Sequence, residues 1–131
     1  MSEEFKFTEY MSDNASTTTM QVIQLSSKDY PTQLKTIYNP PKELHICGTL
    51  PDQPMVAIVG SRKPTPYGEM VAYRIASDLA KAGACIVSGL AYGIDSIVHQ
   101  AALEAGGTTI AVLGSGIDKL YPAVHKPLAR Q

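Results

Sequence analysis

The chain has 131 residues, 44% of them hydrophobic, and a net charge of −1, which allows one globular domain of ordinary composition. The charge is uneven: residues 1–54 carry four basic and seven acidic side chains and residues 55–131 carry seven and five, so the second half is compatible with an anionic partner. Cys47 and Cys85 lack metal-ligand or disulfide spacing, and the sequence has no long apolar stretch or basic leader, which predicts a cytoplasmic protein without a structural metal or membrane span.

The first part of the chain carries little pattern. Residues 1–21 are polar and rich in Ser and Thr, which predicts a flexible tail. Residues 22–54 form a lead-in segment to the domain that follows. Within it, residues 34–38 are expected to make about one helical turn before the Pro40–Pro41 pair, and residues 43–50 a short strand.

Residues 55–131 alternate apolar strands with amphipathic helices. The predicted strands are residues 55–59, 85–87 and 109–113. The predicted helices are residues 66–82, with an apolar stripe of Val71, Ile75 and Leu79, and residues 94–105. This alternation predicts an α/β, Rossmann-like three-layer domain with a mainly parallel sheet, to which the strand at 43–50 adds a fourth member. Residues 124–131 look like the start of another helix, so we expect a domain that is incomplete at its C-terminus.

The strand-to-helix loops carry the functional signal, because such loops meet at the carboxyl edge of a parallel sheet, where ligands bind. Each loop contains a Gly–Ser pair, and the first also contains Arg62, whose planar fork suits phosphate, and Lys63. The sequence therefore predicts a polyanion site, for a nucleotide or a nucleic-acid backbone. Its candidate residues are Gly60, Ser61, Arg62, Lys63, Ser88, Gly89, Tyr92, Gly93, Gly114, Ser115 and Gly116.

Several of these residues have a structural alternative. The serines could instead satisfy backbone groups at strand ends. Asp95 would repel an anion, so it is expected to cap the second helix or to pair with an arginine. His99 lies one helical turn after Asp95, and a structural hydrogen bond is favoured over acid–base chemistry because no nucleophile accompanies the pair. Tyr67, Tyr92 and Tyr121 could stack on unpaired bases or simply pack against the strand ends.

The motifs resemble the DNA-processing protein A family (DprA, also called Smf) over residues 22–131. They are GSRKPTPYG at residues 60–68, IVSGLAYGID at 86–95 followed by His99, and GTTIAVLGSG at 107–116 followed by Tyr121-Pro122. The resemblance implies a non-catalytic protein without a cofactor that binds single-stranded DNA, hands it to the RecA recombinase in natural transformation, and can form a homodimer.

Three positions depart from the family pattern: Tyr92 replaces a frequent Arg, Val98 a typical Ala, and His125 a typical Asn. The family's later Phe-Pro and Arg-Asn-Arg segment, near which much of its dimer and RecA surface lies, does not occur in these residues. An alternative function is that of the "lonely guy" nucleoside-monophosphate hydrolases. These enzymes need a Pro-Gly-Gly-x-Gly-Thr loop and a catalytic Glu, neither of which is found here. A nucleotide-sensing module would use the same loops without catalysis.

Overall fold

The computed structural model describes residues 20–131, so the predicted tail lies outside the described residues except for its last two. The described residues form two compact units, which divide between Leu50 and Pro51. In the first unit, β1 (Met20–Gln24) pairs antiparallel with β2 (Glu43–Cys47), so that Met20 faces Cys47. The strand expected at residues 43–50 is therefore present and shorter, but the prediction that it joins the parallel sheet is wrong, because its partner is β1.

The short helix of the first unit, α1 (Thr32–Lys35), begins two residues earlier than expected. Pro31 supplies the start: its carbonyl accepts the N–H groups of Leu34 and Lys35 at 3.0 and 3.3 Å, and its ring presets a helical φ. Tyr30 is buried at 2% exposure, and its hydroxyl donates to the carbonyl of Pro41 at 2.9 Å. This hydrogen bond links the segment before α1 to the segment after it.

The second unit contains a parallel sheet in the order β3 (Met55–Ala57), β4 (Cys85–Ser88), β5 (Thr109–Ala111). Helix α2 (Pro66–Lys81) connects β3 to β4, and α3 (Ile94–Glu104) connects β4 to β5. A 3₁₀ turn (Ala123–His125) and α4 (Lys126–Ala129) follow. The alternation and the parallel pairing confirm the Rossmann-like α/β fold, of which the described residues contribute the sheet and one helical layer.

Helices α2 and α3 pack against each other on one face of the sheet through small side chains. Ala72, Ala76 and Ala80 of α2 are buried with Val98 and Ala101 of α3 in one cluster. The predicted stripe is confirmed only in part, since Leu79 packs against this cluster whereas Ile75 is 48% exposed. Small side chains let helix axes approach closely, so the alanine row forms the contact with the partner helix and Ile75 does not.

Several apolar side chains of the strands and of the segments that follow them are exposed. Met55, the first residue of β3, is 42% exposed, and Val59 and Val112, which follow β3 and β5, are 72% and 63% exposed. Among the helices of residues 20–131, none combines the length and apolar character that a bilayer span needs.

Candidate functional site

Loops at the carboxyl edge of the sheet enclose a cleft of ≈ 320 Å³. Residues from each of the predicted loops reach it, together with one tyrosine from the segment that follows. The lining residues are Arg62, Gly89, Ala91, Tyr92, Leu113, Gly114, Ser115 and Tyr121. The structure thus brings the Gly–Ser loops together at one place, as expected for strands that run parallel.

The first loop presents the cations. Arg62 and Lys63 are exposed, and neither side chain has a hydrogen-bond or ion-pair partner among residues 20–131. The hydroxyl of Ser61 accepts the N–H of Lys63 at 3.1 Å, which fixes the turn that carries both side chains. The free guanidinium of Arg62 on the cleft is suited to a bidentate phosphate contact.

The first and second loops are locked together by their backbones. The N–H of Ile94 donates to the carbonyl of Ser61 at 3.1 Å. Gly93 has a φ of +76°, and a Cβ there would overlap the Ser61 carbonyl oxygen and lie 2.9 Å from the Cα of Arg62. Only glycine fits this approach. Arg62 is therefore positioned by the loop that precedes α3.

Within the second loop, Ser88 and Asp95 bond to the protein itself. Ser88 is buried, and its hydroxyl donates to the carbonyl of Ile58 at 2.7 Å, which is the strand-end role left open by the sequence. The Oδ2 atom of Asp95 accepts the N–H groups of Gly89 at 3.1 Å and Ala91 at 3.4 Å. The prediction that Asp95 caps the helix is wrong, because the cap position is Gly93 and Asp95 bonds backward to the loop.

Leu90 is a strained residue in this loop. Its φ of +61° lies in the left-handed region, and the side chain is 1% exposed. A non-glycine residue costs about 1–2 kcal/mol in that conformation, so the surroundings must hold it. The carbonyl of Leu90 accepts a hydrogen bond from Nδ1 of His125 at 2.8 Å, which places the proton of that ring on Nδ1. The sequence pattern did not predict a site role for His125, because its hydrogen-bond partner, Leu90, is 35 residues away.

Aromatic rings form one wall of the cleft. Tyr92 and Tyr121 meet edge to face, with ring centroids 6.5 Å apart, and the His125 ring lies 5.4 Å from Tyr92. Tyr92 is 44% and Tyr121 66% exposed, so both rings keep open surface. Tyr67, the third candidate, is exposed on the first turn of α2 and does not line the cleft.

The third loop contributes backbone groups to the cleft. Gly114 and Ser115 line the cleft, and their N–H groups have no acceptor among the described residues. Gly116 lies beside the Asp118 carboxylate, and its carbonyl accepts the N–H of Lys119 at 2.9 Å. Gly116 therefore shapes the turn, while Gly114 and Ser115 face the cleft.

His99 lies beneath the site and is structural. Its Nδ1 donates to the hydroxyl of Thr109 at 2.6 Å, and that hydroxyl donates onward to the carbonyl of Ile86 at 2.7 Å. Its Nε2 is buried without a partner in the described part of the chain. Burial lowers the pKa of His99 to about 4 against the opposing charge of Asp95, so the ring is neutral at pH 7. The expected structural hydrogen bond is confirmed, and its partner is Thr109.

No three His, Cys, Asp or Glu side chains within residues 20–131 come together in a way that could hold a metal ion. The candidate site, as described, consists of cations, tyrosines and backbone amides.

Comparisons with known proteins agree on one family. A family model described as DNA recombination-mediator protein A matches residues 21–131. The DNA processing protein DprA of Bacillus subtilis is 41% identical over 113 residues, which are 84% of this chain and 38% of that protein. The chain thus spans well under half the length of this relative.

Two solved structures are similar. DNA processing protein A from Streptococcus pneumoniae superposes with a TM-score of 0.78 at 40% identity, covering 83% of this chain and 39% of that one. The protein from Helicobacter pylori, whose structure is described as giving insights into its single-stranded DNA binding mode, superposes with a TM-score of 0.75 at 32% identity. That match covers 87% of this chain and 51% of the other.

Proposed function

Because the chain belongs to the DNA recombination-mediator protein A family, we propose that its cleft binds single-stranded DNA and carries out no reaction on it. The observation that supports this most directly is the pairing of a free guanidinium, Arg62, with open tyrosine rings, Tyr92 and Tyr121, on one cleft. Proteins that bind single strands with little sequence preference combine cationic contacts to phosphate with aromatic stacking on bases.

In the proposed mechanism, the Arg62 guanidinium makes a bidentate contact to one phosphate, and Lys63 adds positive charge beside it. Gly60, Ser61 and Gly93 hold the first loop against the second, so that these cations have a fixed place. A base stacks on the exposed face of Tyr92 or Tyr121.

The remaining predicted residues are proposed to act through the backbone. The N–H groups of Gly114 and Ser115 approach a second phosphate. Ser88, Gly89 and Gly116 shape the loops that line the cleft.

The role of the longer protein is proposed on the resemblance to its relatives. A member of this family would protect incoming single-stranded DNA and help load the RecA recombinase during natural transformation, as a homodimer. The residues of this chain that match the Bacillus subtilis relative make up 38% of that protein's length. We therefore propose that they supply the DNA-binding cleft of such a protein.

The nucleotide-hydrolase alternative gains no support from the geometry. Nucleotide phosphates in Rossmann-like folds sit on free backbone N–H groups at a helix N-terminus. Here the N–H group of Ile94, the first residue of α3, already donates to the Ser61 carbonyl, and the N–H groups of Gly89 and Ala91 in the preceding loop donate to Asp95. Incubation with adenosine or guanosine monophosphate is expected to release no free base, and release that scales with protein concentration would support the enzyme instead.

The decisive experiment is a fluorescence-anisotropy titration of labelled oligothymidylate with the wild-type chain and Arg62→Ala. Loss of one bidentate contact is expected to weaken binding about tenfold and to reduce the salt slope by about 0.7, the increment for one phosphate of a single strand. Arg74→Ala is the matched control, since Arg74 is an exposed arginine on α2 whose one partner among residues 20–131 is Asp78, at 3.8 Å. Equal affinity and slope in the wild-type chain and Arg62→Ala would refute the assignment.

A further inference from the structure

Asp95 is a buried carboxylate beside an anion-binding cleft, and the proposed function does not use it. It is 7% exposed, sits in the first turn of α3, and has no cationic partner among residues 20–131. Burying a carboxylate is unfavourable unless strong donors surround it. The donors here are the backbone N–H groups of Gly89 and Ala91, both of which point to Oδ2.

These two bonds flank the strained residue of the loop. Leu90, with its left-handed φ, stands between Gly89 and Ala91. Asp95 holds the N–H group on either side of it, and His125 donates to its carbonyl. Two side chains from outside the loop, together with the burial of the Leu90 side chain, therefore hold a conformation that Leu90 by itself would leave for a negative φ.

This conformation decides what faces the cleft. Ala91 and Tyr92 follow Leu90 directly and both line the cleft, and the Tyr92 ring packs against Tyr121 and His125. Gly93 then docks on the backbone of Ser61 and Arg62. Without its hydrogen bonds to Asp95, the loop would no longer hold the Tyr92 ring in place, while the Arg62 and Lys63 side chains would keep their charge.

We propose that Asp95 is a positioning residue of the DNA-binding cleft. Its carboxylate holds residues 89–91 so that Tyr92 presents its ring, and it takes two backbone N–H groups of the loop before α3 that a phosphate in the cleft would otherwise contact. The cleft thereby favours a polymer that is held by side-chain cations and stacked bases over a small phosphate. This inference rests on the proposed single-stranded DNA binding.

Asp95→Ala and Asp95→Asn separate the roles of acceptor and charge. Asparagine keeps a side-chain oxygen for the two N–H groups, whereas alanine removes it. The probe is an oligothymidylate with one 2-aminopurine, whose fluorescence falls when the base stacks. Asp95→Ala is expected to bind about tenfold more weakly, with reduced quenching, an unchanged salt slope and new sensitivity to inorganic phosphate as competitor. Asp95→Asn is expected to retain wild-type quenching and to bind at least as tightly as the wild type, because a like charge has been removed.

A ligand-free measurement keeps this test apart from the test of the function. Hydrogen exchange of the Gly89 and Ala91 amides is expected to be slow in the wild-type chain and Asp95→Asn, and fast in Asp95→Ala. If the wild-type chain bound no DNA, the proposed function would fail, whereas the amide exchange would still report whether Asp95 holds the loop.

His125→Phe provides a second variant should Asp95→Ala fail to fold. Phenylalanine keeps a ring beside Tyr92 but cannot donate to the Leu90 carbonyl, so the quenching is expected to fall while the salt slope stays unchanged. Asp78→Ala, which removes an exposed carboxylate on α2, is the charge control. Wild-type quenching in Asp95→Ala, or in His125→Phe if Asp95→Ala does not fold, would overturn the proposal, as would equal losses in Asp95→Ala and Asp95→Asn.

Discussion

Acidification is expected to destabilise the fold through His99. Its pKa is about 4 in the folded chain against an ordinary value of 6.5, because the ring is buried. The unfolded chain therefore binds more protons between these two values, and stability falls as the pH is lowered through that window. The folded ring cannot easily accept a second proton, since Nε2 has no acceptor within the described residues to receive the new N–H bond.

The magnitude follows from the difference between the two pKa values. Integrating the proton uptake gives a loss of about 2 kcal/mol by about pH 5 and about 3 kcal/mol by about pH 4, relative to neutral pH. The free energy of unfolding in urea is measured at intervals between about pH 7.5 and pH 5. Hydrogen bonds, chiefly to His45 and to Tyr73, hold the pKa values of Glu43 and Glu104 below their ordinary value of 4.5, and so below this window.

The matched variant is His99→Asn, whose amide nitrogen can still donate to Thr109 but does not titrate. It is expected to be less stable than the wild-type chain at pH 7 and to show a flatter dependence on pH above pH 5. A pH dependence in His99→Asn equal to that of the wild-type chain would refute the argument, because another group would then account for the slope.

Two further predictions concern the cleft. Gly93→Ala is expected to abolish the docking of the first loop and to weaken DNA binding more than tenfold. Gly83 also has a positive φ, +92°, but open space surrounds it, so Gly83→Ala is the control and is expected to lower stability without weakening DNA binding. Equal DNA affinities in the two variants would contradict the docking role of Gly93. Tyr92→Ala is expected to weaken oligothymidylate binding about tenfold with an unchanged salt slope, and Tyr92→Phe to bind as the wild type does. A change of slope in Tyr92→Ala would show that this side chain acts on phosphate.

The cleft was predictable because its determinants are local. Each Gly–Ser pair follows an apolar strand, and parallel topology alone brings Arg62, Tyr92 and Ser115 to one edge. The partnership of Asp95 with the loop was not predictable from position. A carboxylate in the first helical turn usually serves the helix, and only the left-handed turn at Leu90 brings the loop amides back to it.

Non-local pairing accounts for the other differences. Strand β1 has little pattern of its own, and it forms because residues 43–47 lie beside it in register. In α2, hydrophobicity favours Ile75 as a core residue, but the distance between the helices selects Ala76 beside it. Sequence periodicity indicates which residues form an apolar row, whereas the space between the packed helices determines which of them are buried.

The alanine contact between α2 and α3 has a consequence for how variants of this protein are interpreted. Ala72, Ala76 and Ala80 have almost nothing to truncate, so an alanine scan would not detect the interface that joins the two helices. Enlargement is the informative change: Ala76→Leu would push the helices apart, and with them the starts of α2 and α3 that carry the first and second loops. Selection at these positions is therefore expected to act on side-chain size, with glycine and serine tolerated and every branched residue rejected.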